Sequence, residues 1–354
     1  MSISPPDRTL LSALLGDDEI APYLSDKAEI AEMIRFEAAL AIAEGAEGII
    51  PVESASHIAR CLETFVPSLD ELRMATARDG VVGVDFVRQL REHVGPPHAQ
   101  FVHFGATSQD LVDTALLLRL KPVLAILAER TRQLIAVLTD FDKRFGMNEI
   151  VARTRMQDAL PIAVAHRLAA WQAPLPRHLD RLNELSPRLL LLQFGGAVGT
   201  LDKLGDRARP VAARLATALG LGVPERSWHS QRDSIVELAD WLSLVSGSLG
   251  KIGVDVVLMA QNAVDEIALE GGGGSSAMPH KQNPVGAEVL VALARYNATL
   301  VGGMHEALLH EQERSGAAWT LEWLILPQMV TNTAASLRTT LALCGRIVRI
   351  GRDH

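Results

Sequence analysis

The 354-residue sequence contains little cysteine, with Cys61 and Cys344 as its only two. Two cysteines cannot form a disulfide framework, and no cysteine cluster has the spacing of a zinc site. The H-E-x-x-H pattern is also absent, so the sequence predicts no metal site. The N-terminal segment lacks a basic region before its apolar residues and is therefore not predicted to be a signal peptide. We expect a reduced, cytoplasmic protein.

Basic charge is scarce as well, because 42 acidic side chains outnumber 34 basic ones and leave a net charge of -8. Nucleic acids and anionic membrane surfaces bind proteins that present a basic face, so neither is an expected partner. An anionic substrate needs a locally basic pocket. The longest stretch without a charged residue, 323–337, has 15 residues and is too short to span a bilayer. No transmembrane helix is predicted.

Alternating strand patterns are hard to find, whereas helix signals occur throughout the chain, so we predict an all-α fold. Ser25 is placed to cap a helix that runs through Glu44. Ser68 and Glu71 have the spacing of a capping box at the start of a second helix, and Gly80 is placed to end it. These short helices belong to a predicted N-terminal helical domain over residues 1–105.

Three long helices are predicted in the rest of the chain, over residues 109–145, 158–185 and 231–269. At 1.5 Å per residue the last would be about 58 Å long, which is more than a compact monomer needs. We therefore expect it to lie in a bundle shared between subunits, within a central domain over 106–345 that precedes a short tail over 346–354. Apolar residues spaced alternately by three and four give this helix a coiled-coil seam: Ile235, Leu238, Leu242, Val245, Leu249, Ile252, Val256, Met259 and Ala263.

Four consecutive glycines, 271–274, interrupt the helical pattern. Glycine adopts positive φ freely and predicts a mobile loop, which Pro279 then stiffens. Asn283 and Pro284 have the order of an N-cap and a first helical residue, so the loop leads to a helix N-terminus that favours an anion. The spacing does not match a phosphate-binding P-loop. On composition alone, a flexible surface loop between two helices explains the stretch equally well.

The eleven residues 274–284, GSSAMPHKQNP, resemble the signature of the fumarase/aspartase superfamily. The resemblance implies that this loop is a lid and that Ser275 carries a proton at the carbon next to a substrate carboxylate. It implies that Lys281 and Asn283 bind a carboxylate and stabilise an enediolate-like intermediate. A serine alkoxide needs backbone N–H groups and a cation, and a glycine-rich loop with a lysine offers both. The further substrate contacts implied in the lid are Ser276 and Met278.

A second stretch, FVHFGATSQDLVDTA over residues 101–115, resembles the first conserved region of the same superfamily. The resemblance implies that Thr107 and Ser108 grip the substrate and that His103 lines the site as a catalytic residue. From the residues alone, Thr107 and Asp110 predict a helix N-terminus, where Thr107 could bind a carboxylate or serve only as a cap.

A third stretch, VARTRMQDALP over residues 151–161, resembles the second conserved region, in which Thr154 and Gln157 match substrate-contacting positions. Argininosuccinate and adenylosuccinate lyases resemble each other in carrying Thr-His here, where the histidine protonates a leaving amine. This chain has Arg155 instead. A carboxylate leaves without protonation because its conjugate acid has a pKa near 4, so lactone chemistry does not need the histidine. We expect Arg155 to add positive charge toward a polyanion.

A fourth stretch, HEQERSGAAWTLEW over residues 310–323, is more similar to the cycloisomerases of the superfamily than to its lyases. Arg314 lies at a position that the resemblance associates with substrate carboxylates. An ordinary ion pair is an equally good interpretation of Arg314. Trp319 and Trp323 are four residues apart, which favours a packed helix face over a binding role.

The resemblance implies an all-α, long-helix bundle that assembles into a tetramer with a twenty-helix core and active sites shared between three chains. The implied activity is cyclisation of a small tricarboxylate, 3-carboxy-cis,cis-muconate, to a lactone in the breakdown of protocatechuate, with no cofactor. A fumarate-releasing lyase of the adenylosuccinate or argininosuccinate type is the alternative, and a non-catalytic helical scaffold is a third possibility. Members of the superfamily usually continue into a further small helical domain, which we do not expect in this chain.

Overall fold

The computed structural model describes residues 9–274, 276–278 and 281–352 of the chain. Helices account for most of them, as predicted. The helices are α1 Thr9–Leu15, α2 Asp26–Ala46, α3 Val52–Leu62, α4 Leu69–Asp79, α5 Gly83–Val94, α6 Ser108–Phe145, α7 Val164–Gln172, α8 Pro174–Leu189, α9 Ala208–Leu219, α10 Asp233–Met259, α11 Val285–Glu306 and α12 Ala317–Cys344. The strands are β1 Glu149–Thr154, β2 Gln157–Ala163, β3 Ile267–Leu269 and β4 Ile347–Ile350.

Local capping signals set the ends of the short N-terminal helices. The Ser25 hydroxyl accepts a hydrogen bond from the backbone N–H of Ala28 at the start of α2. The Ser68 hydroxyl does the same for the N–H of Glu71 at the start of α4, and Gly80 ends α4 in the left-handed conformation at φ 73°. These predictions are confirmed, although α2 continues two residues beyond the predicted end at Glu44.

Helices α6, α8, α10, α11 and α12 pack side by side into one bundle whose core contains the predicted seam of α10. From Ile235 to Met259 every apolar residue of that seam is at most 2% exposed. The chain's own helices cover the seam, so the seam by itself does not indicate a contact between subunits. By length and composition α10 could cross a membrane, but core helices meet the same criteria and this one is mostly buried.

The predicted extent of α10 is wrong at its C-terminal side. The helix ends at Met259 and not near residue 269. Asp265 adopts a positive φ of 47°, which a right-handed helix does not contain, and the following residues leave the helix to form β3. Strand β3 pairs antiparallel with β4, which lies within the predicted short tail over 346–354. Tertiary pairing therefore overrides the helical pattern over the last ten residues.

A close approach of α10 and α11 depends on small residues. A Cβ at Gly250 would lie 2.4 Å from the Cβ of Ala294, and a Cβ at Gly253 would lie 2.6 Å from the carbonyl oxygen of Ala287. Both distances are shorter than real carbon contacts, so larger side chains would force the two helices apart. The glycines of α10 thus set the spacing at the centre of the bundle.

The predicted helix over 158–185 is wrong in its first part. Residues 149–163 form the antiparallel hairpin β1–β2, and α7 and α8 follow it. Arg155 and Met156 make its two-residue turn with φ values of 50° and 68°, the conformation that short hairpins require. Most of β2 is exposed, so the alternation of buried and exposed residues that would reveal a strand is missing.

A second core lies under the N-terminal helices and unites α2 to α5, the first turns of α6, and α9. Helix α6 connects the two cores and spans about 55 Å at the α-helical rise per residue. The two ends of α6 serve as reference points for the site residues. The Thr107 end is where α6 begins, and the hairpin end is where α6 stops and β1–β2 follows at Glu149.

Candidate active site

Thr107 and Ser108 lie half-buried at the N-terminus of α6. The backbone N–H of Thr107 donates to the Asp110 carboxylate at 3.0 Å, as the capping pattern predicts. The Ser108 hydroxyl lies against Gly83, the first residue of α5, where an added Cβ would come within 2.9 Å of it. Two helix N-termini therefore meet at Ser108. Their free N–H groups and dipoles favour a bound anion such as a carboxylate.

Asp110 connects this helix start to the loop that faces it. Its buried carboxylate accepts hydrogen bonds from the backbone N–H groups of Gly195 and Gly196 at 2.8 and 2.9 Å. It also contacts His229 Nε2 at 2.7 Å. Charge-assisted bonds of this kind are short and strong, so Asp110 fixes the loop at 195–196 beside Thr107.

Arg314 reaches the Thr107 end from the segment before α12. Its Nε donates to the side-chain oxygen of Gln109 at 3.0 Å, and its Nη2 donates to the carbonyl oxygen of Ala197 at 3.0 Å. No carboxylate within the described residues pairs with it, so the ordinary ion pair considered above is not found there. The guanidinium is held by neutral acceptors and keeps its positive charge uncompensated by them.

His103 lies just before α6 with a φ of 58° and a side chain that is 10% exposed. Its Nδ1 is 2.5 Å from Glu37 Oε1, and the Glu37 side chain is 1% exposed. Glu37 belongs to α2 and was not predicted as part of the site. A signal for it does exist, because an acid in an otherwise apolar helix stripe requires a partner.

A buried ion-pair cluster lies behind the Thr107 end. Arg232, fully buried before α10, donates to both oxygens of Asp113 at 2.7 and 3.1 Å and to both oxygens of Glu322 at 2.9 and 2.6 Å. Burial opposes the charge of this guanidinium, but the two carboxylates outweigh that effect and raise its pKa. The Trp319 ring N–H also donates to Asp113 at 3.0 Å. The Trp319 ring is buried, and its centroid lies 4.5 Å from that of Trp323, which confirms the predicted packing. The cluster ties α6, α10 and α12 together.

The hairpin carries Thr154, Arg155 and Gln157, all of them exposed. Arg155 makes no hydrogen bond or ion pair with any residue that the structure describes. Arg153, two residues earlier, pairs instead with Glu266 at 2.9 Å and so anchors the strand to the segment after α10. The hairpin tip therefore exposes Thr154 and the unpaired guanidinium of Arg155.

The glycine-rich loop begins at the same hairpin end. Gly273 and Asn283 exchange two backbone hydrogen bonds of 2.9 and 2.8 Å, which close the base of the loop. A Cβ at Gly272 would lie 2.6 Å from the Cβ of Gln282, so the two strands of this base approach as only glycine allows. On the upstream side the Arg346 Nε donates to the carbonyl oxygen of Glu270 at 2.8 Å.

The predicted N-cap of α11 is displaced by one residue. Pro284 occupies the N-cap position, α11 begins at Val285, and the backbone of Asn283 is used in the base pairing with Gly273. Ser276, Met278 and Lys281 are exposed on the loop. Ser275, the predicted proton carrier, lies outside the described residues.

Within one chain, the predicted site residues lie in two groups at opposite ends of α6. His103, Thr107, Ser108 and Arg314 lie at the Thr107 end, because Arg314 contacts Gln109. The hairpin and the glycine-rich loop lie at the other end of α6, about 55 Å away by the helical rise. Within the described residues no cluster of three or more metal-ligating side chains occurs.

Comparison with known proteins identifies the family of this chain. A family model described as lyase matches residues 19–296. The chain belongs to this lyase family. Its members include the fumarase/aspartase enzymes that the four stretches resemble, and the family acts on small carboxylate substrates.

Two of the most similar relatives of the chain are lactone-forming family members. A 3-carboxy-cis,cis-muconate cycloisomerase of Pseudomonas aeruginosa is 41% identical over 345 residues, which cover 96% of this chain and 75% of that protein. The crystal structure of a 3-carboxy-cis,cis-muconate lactonizing enzyme from Pseudomonas putida matches with a TM-score of 0.91 and 37% identity, covering 97% of this chain and 78% of that one.

Another family member with a similar structure is named for a different activity. The crystal structure of a fumarate lyase from Mesorhizobium sp. BNC1 matches with a TM-score of 0.88 and 33% identity, covering 95% of this chain and 76% of that one. The predicted all-α fold is confirmed by both structural matches.

Proposed function

We propose that this protein is a 3-carboxy-cis,cis-muconate cycloisomerase, which acts in the cytoplasm on a small tricarboxylate formed in the breakdown of protocatechuate. The Pseudomonas aeruginosa cycloisomerase, at 41% identity, and the Pseudomonas putida lactonizing enzyme, at 37% identity, support the proposal. The observation that carries it is Arg155 at the hairpin tip, an unpaired cation where an amine-releasing lyase needs a histidine acid.

The reaction adds one carboxylate oxygen of the substrate to the conjugated double bond and forms the C–O bond of a lactone. The electron pair of that double bond moves to the carbon next to another carboxylate, which becomes an enediolate-like anion. A proton then reaches this carbon. In the reverse direction the leaving group is a carboxylate, which departs without a proton because its conjugate acid has a pKa near 4.

Residues at both ends of α6 have roles in this proposal. Ser275 gives the proton to the carbanion, and Lys281 and Asn283 stabilise the negative charge that precedes it. The hydroxyls of Thr107 and Ser108, at two converging helix N-termini, bind a substrate carboxylate. The remaining proposed substrate contacts are His103, Thr154, Arg155, Gln157, Ser276, Met278 and Arg314.

Assembly follows from the distance between these groups. The length of α6, about 55 Å, separates Thr107 from the base of the lid in one chain, whereas reacting groups must approach to within a few ångströms of one substrate. We therefore propose that several copies of the chain build each site. The resemblance to the superfamily implies a homotetramer in which three chains contribute the Thr107 end, the hairpin and the lid. Light scattering measures this directly, and a monomer at working concentration would contradict it.

A fumarate-releasing lyase is the second candidate, favoured by the likeness to the Mesorhizobium structure of that name. A lyase of the adenylosuccinate or argininosuccinate type must protonate a leaving amine, whose conjugate acid is far weaker than a carboxylic acid. Arg155 cannot donate that proton, because a guanidinium stays charged throughout the accessible pH range.

A substrate panel distinguishes the candidates. The purified protein is given enzymatically prepared 3-carboxy-cis,cis-muconate, adenylosuccinate or argininosuccinate, and ultraviolet absorbance follows each substrate. The proposal expects rapid loss of the diene absorbance with the first substrate and no fumarate from the other two. Fumarate release from a succinylated amine, with the diene left intact, would replace the cycloisomerase by the lyase.

A further inference from the structure

Two buried acids of α2 lie behind the Thr107 end of the site. Helix α2 buries an apolar stripe that includes Phe36 and Leu40, and Glu37 and Glu44 stand in the same stripe two turns apart. The exposed fractions of these acids are 1% for Glu37 and 0% for Glu44. Burying a carboxylate is costly unless it is paired, so both positions require a physical reason.

Glu37 has a partner in His103. A carboxylate can only accept hydrogen bonds, so the Nδ1 that lies 2.5 Å from Glu37 Oε1 carries the hydrogen. Nε2 is then the ring nitrogen left to contact a ligand, and no described residue hydrogen-bonds to it. The backbone of His103 is left-handed, with a φ of 58°, and the surrounding contacts must offset the strain of that conformation. Ring and backbone are thus both held in one orientation.

Glu44 has no such partner among the described residues, since neither carboxyl oxygen makes a hydrogen bond there. Burial, with a smaller contribution from the nearby Glu37, raises the pKa of Glu44 to about 9. At neutral pH the Glu44 side chain is therefore uncharged. Glu37 supplies a carboxylate to His103. Glu44 is a buried acid of the same helix without a hydrogen-bond partner among the described residues, so it serves as a control for Glu37.

We propose that Glu37 is a positioning residue for the reaction, whose carboxylate fixes the orientation and tautomer of His103 so that Nε2 is presented to the substrate. The inference rests on the proposed function for the identity of that substrate. Partners of this kind hold imidazoles in other sites, where their loss lowers activity by about tenfold or more although they touch no substrate.

A double-mutant cycle tests whether Glu37 acts through His103. Glu37→Gln keeps an acceptor oxygen but removes the charge, and we expect kcat/KM for 3-carboxy-cis,cis-muconate to fall about ten- to hundredfold. In a His103→Gln background the same change is expected to have no further effect, because the group it positions is gone. An equal loss in both backgrounds would overturn the proposal, since a purely structural contribution adds independently.

Glu44→Gln is the matched control, because glutamine has the shape of the uncharged acid that already occupies the position. This variant is expected to stay within about twofold of wild-type kcat/KM at pH 7. Thermal melting of the four variants beside the wild type checks that each remains folded. A loss with Glu44→Gln equal to that with Glu37→Gln would show that any change in α2 impairs the site, which contradicts a specific role for Glu37.

A second readout does not depend on turnover. Nitrogen NMR of protein labelled at histidine reports which ring nitrogen carries the hydrogen, and the His103→Gln variant assigns the signal. We expect the Nδ1–H form in the wild type and a shift toward the Nε2–H form in Glu37→Gln. An unchanged tautomer would overturn the inference. If the wild type fails to convert the muconate, the proposed function falls and this measurement alone decides the role of Glu37.

Discussion

Two inactive variants damaged at opposite ends of α6 are expected to restore activity to each other when their chains assemble together. The double variant Thr107→Val/Ser108→Ala loses carboxylate binding at the Thr107 end, and Ser275→Ala loses the proton donor of the lid. Helix α6, about 55 Å long, separates the Thr107 end from the base of the lid within a chain, so an intact site must take the two from different chains. A mixed oligomer can then combine the undamaged end of each.

The size of the recovery follows from random assembly. The two chains are coexpressed in equal amounts. A site is then intact only if its Thr107 end comes from the Ser275→Ala chain and its lid comes from the Thr107→Val/Ser108→Ala chain. Each condition holds half of the time, so roughly a quarter of wild-type kcat is expected per site. Loss of diene absorbance measures this turnover in the copurified oligomer, beside each variant purified alone.

The control pairs two variants damaged in the same loop, Ser275→Ala and Lys281→Ala. Every lid in that mixture carries one of the two changes, so no recovery is expected. The account of shared sites would be refuted if mixed oligomers of the first pair form but remain as inactive as the separate variants. Each chain would then build its own site, and the 55 Å separation would need closure by a large rearrangement.

Three further predictions concern stability. Arg232→Met leaves two buried carboxylates unpaired and is expected to lower the free energy of unfolding by about 3–5 kcal/mol in urea titrations, and an unchanged midpoint would refute that pairing. Because the folded pKa of Glu44 is about 9 against an ordinary 4.5, the stability from its bound proton is complete below pH 4.5 and is lost as the pH rises toward 9. Glu44→Gln should therefore raise the melting temperature at pH 8 and leave it nearly unchanged at pH 4.5, and equal effects at both pH values would contradict the buried proton. Gly250→Ala should lower the melting temperature by forcing α10 from α11, and adding Ala294→Gly should recover part of the loss if that contact is the cause.

Features that depend on a few neighbouring residues could be predicted from the sequence. Ser25, Ser68 and Gly80 act at helix ends through hydrogen bonds or φ values within four residues, and the structure confirms them. The hairpin at 149–163 could not be predicted in the same way. Its exposed second strand lacks alternation, and its turn uses Arg155 and Met156 where glycine or asparagine is typical.

Contacts between residues far apart in the sequence could not be predicted either. Glu37 and His103 are 66 residues apart, and Arg232 lies 119 residues from Asp113. Nothing local marks these pairs except charge within an apolar stripe. The seam of α10 illustrates the opposite difficulty. Its spacing predicts burial correctly from Ile235 to Met259, although Ala263 lies beyond the helix and is exposed, but it does not tell whether the covering helix belongs to the same chain.

Proton NMR of the product formed in D₂O tests the central claim most directly. The cyclisation predicts one product, a lactone with a single deuterium at the carbon next to the carboxylate, because the proton that reaches the carbanion exchanges with solvent through the serine donor. Fumarate in the spectrum, or an unreacted diene beside a folded protein, would contradict the assignment as a cycloisomerase.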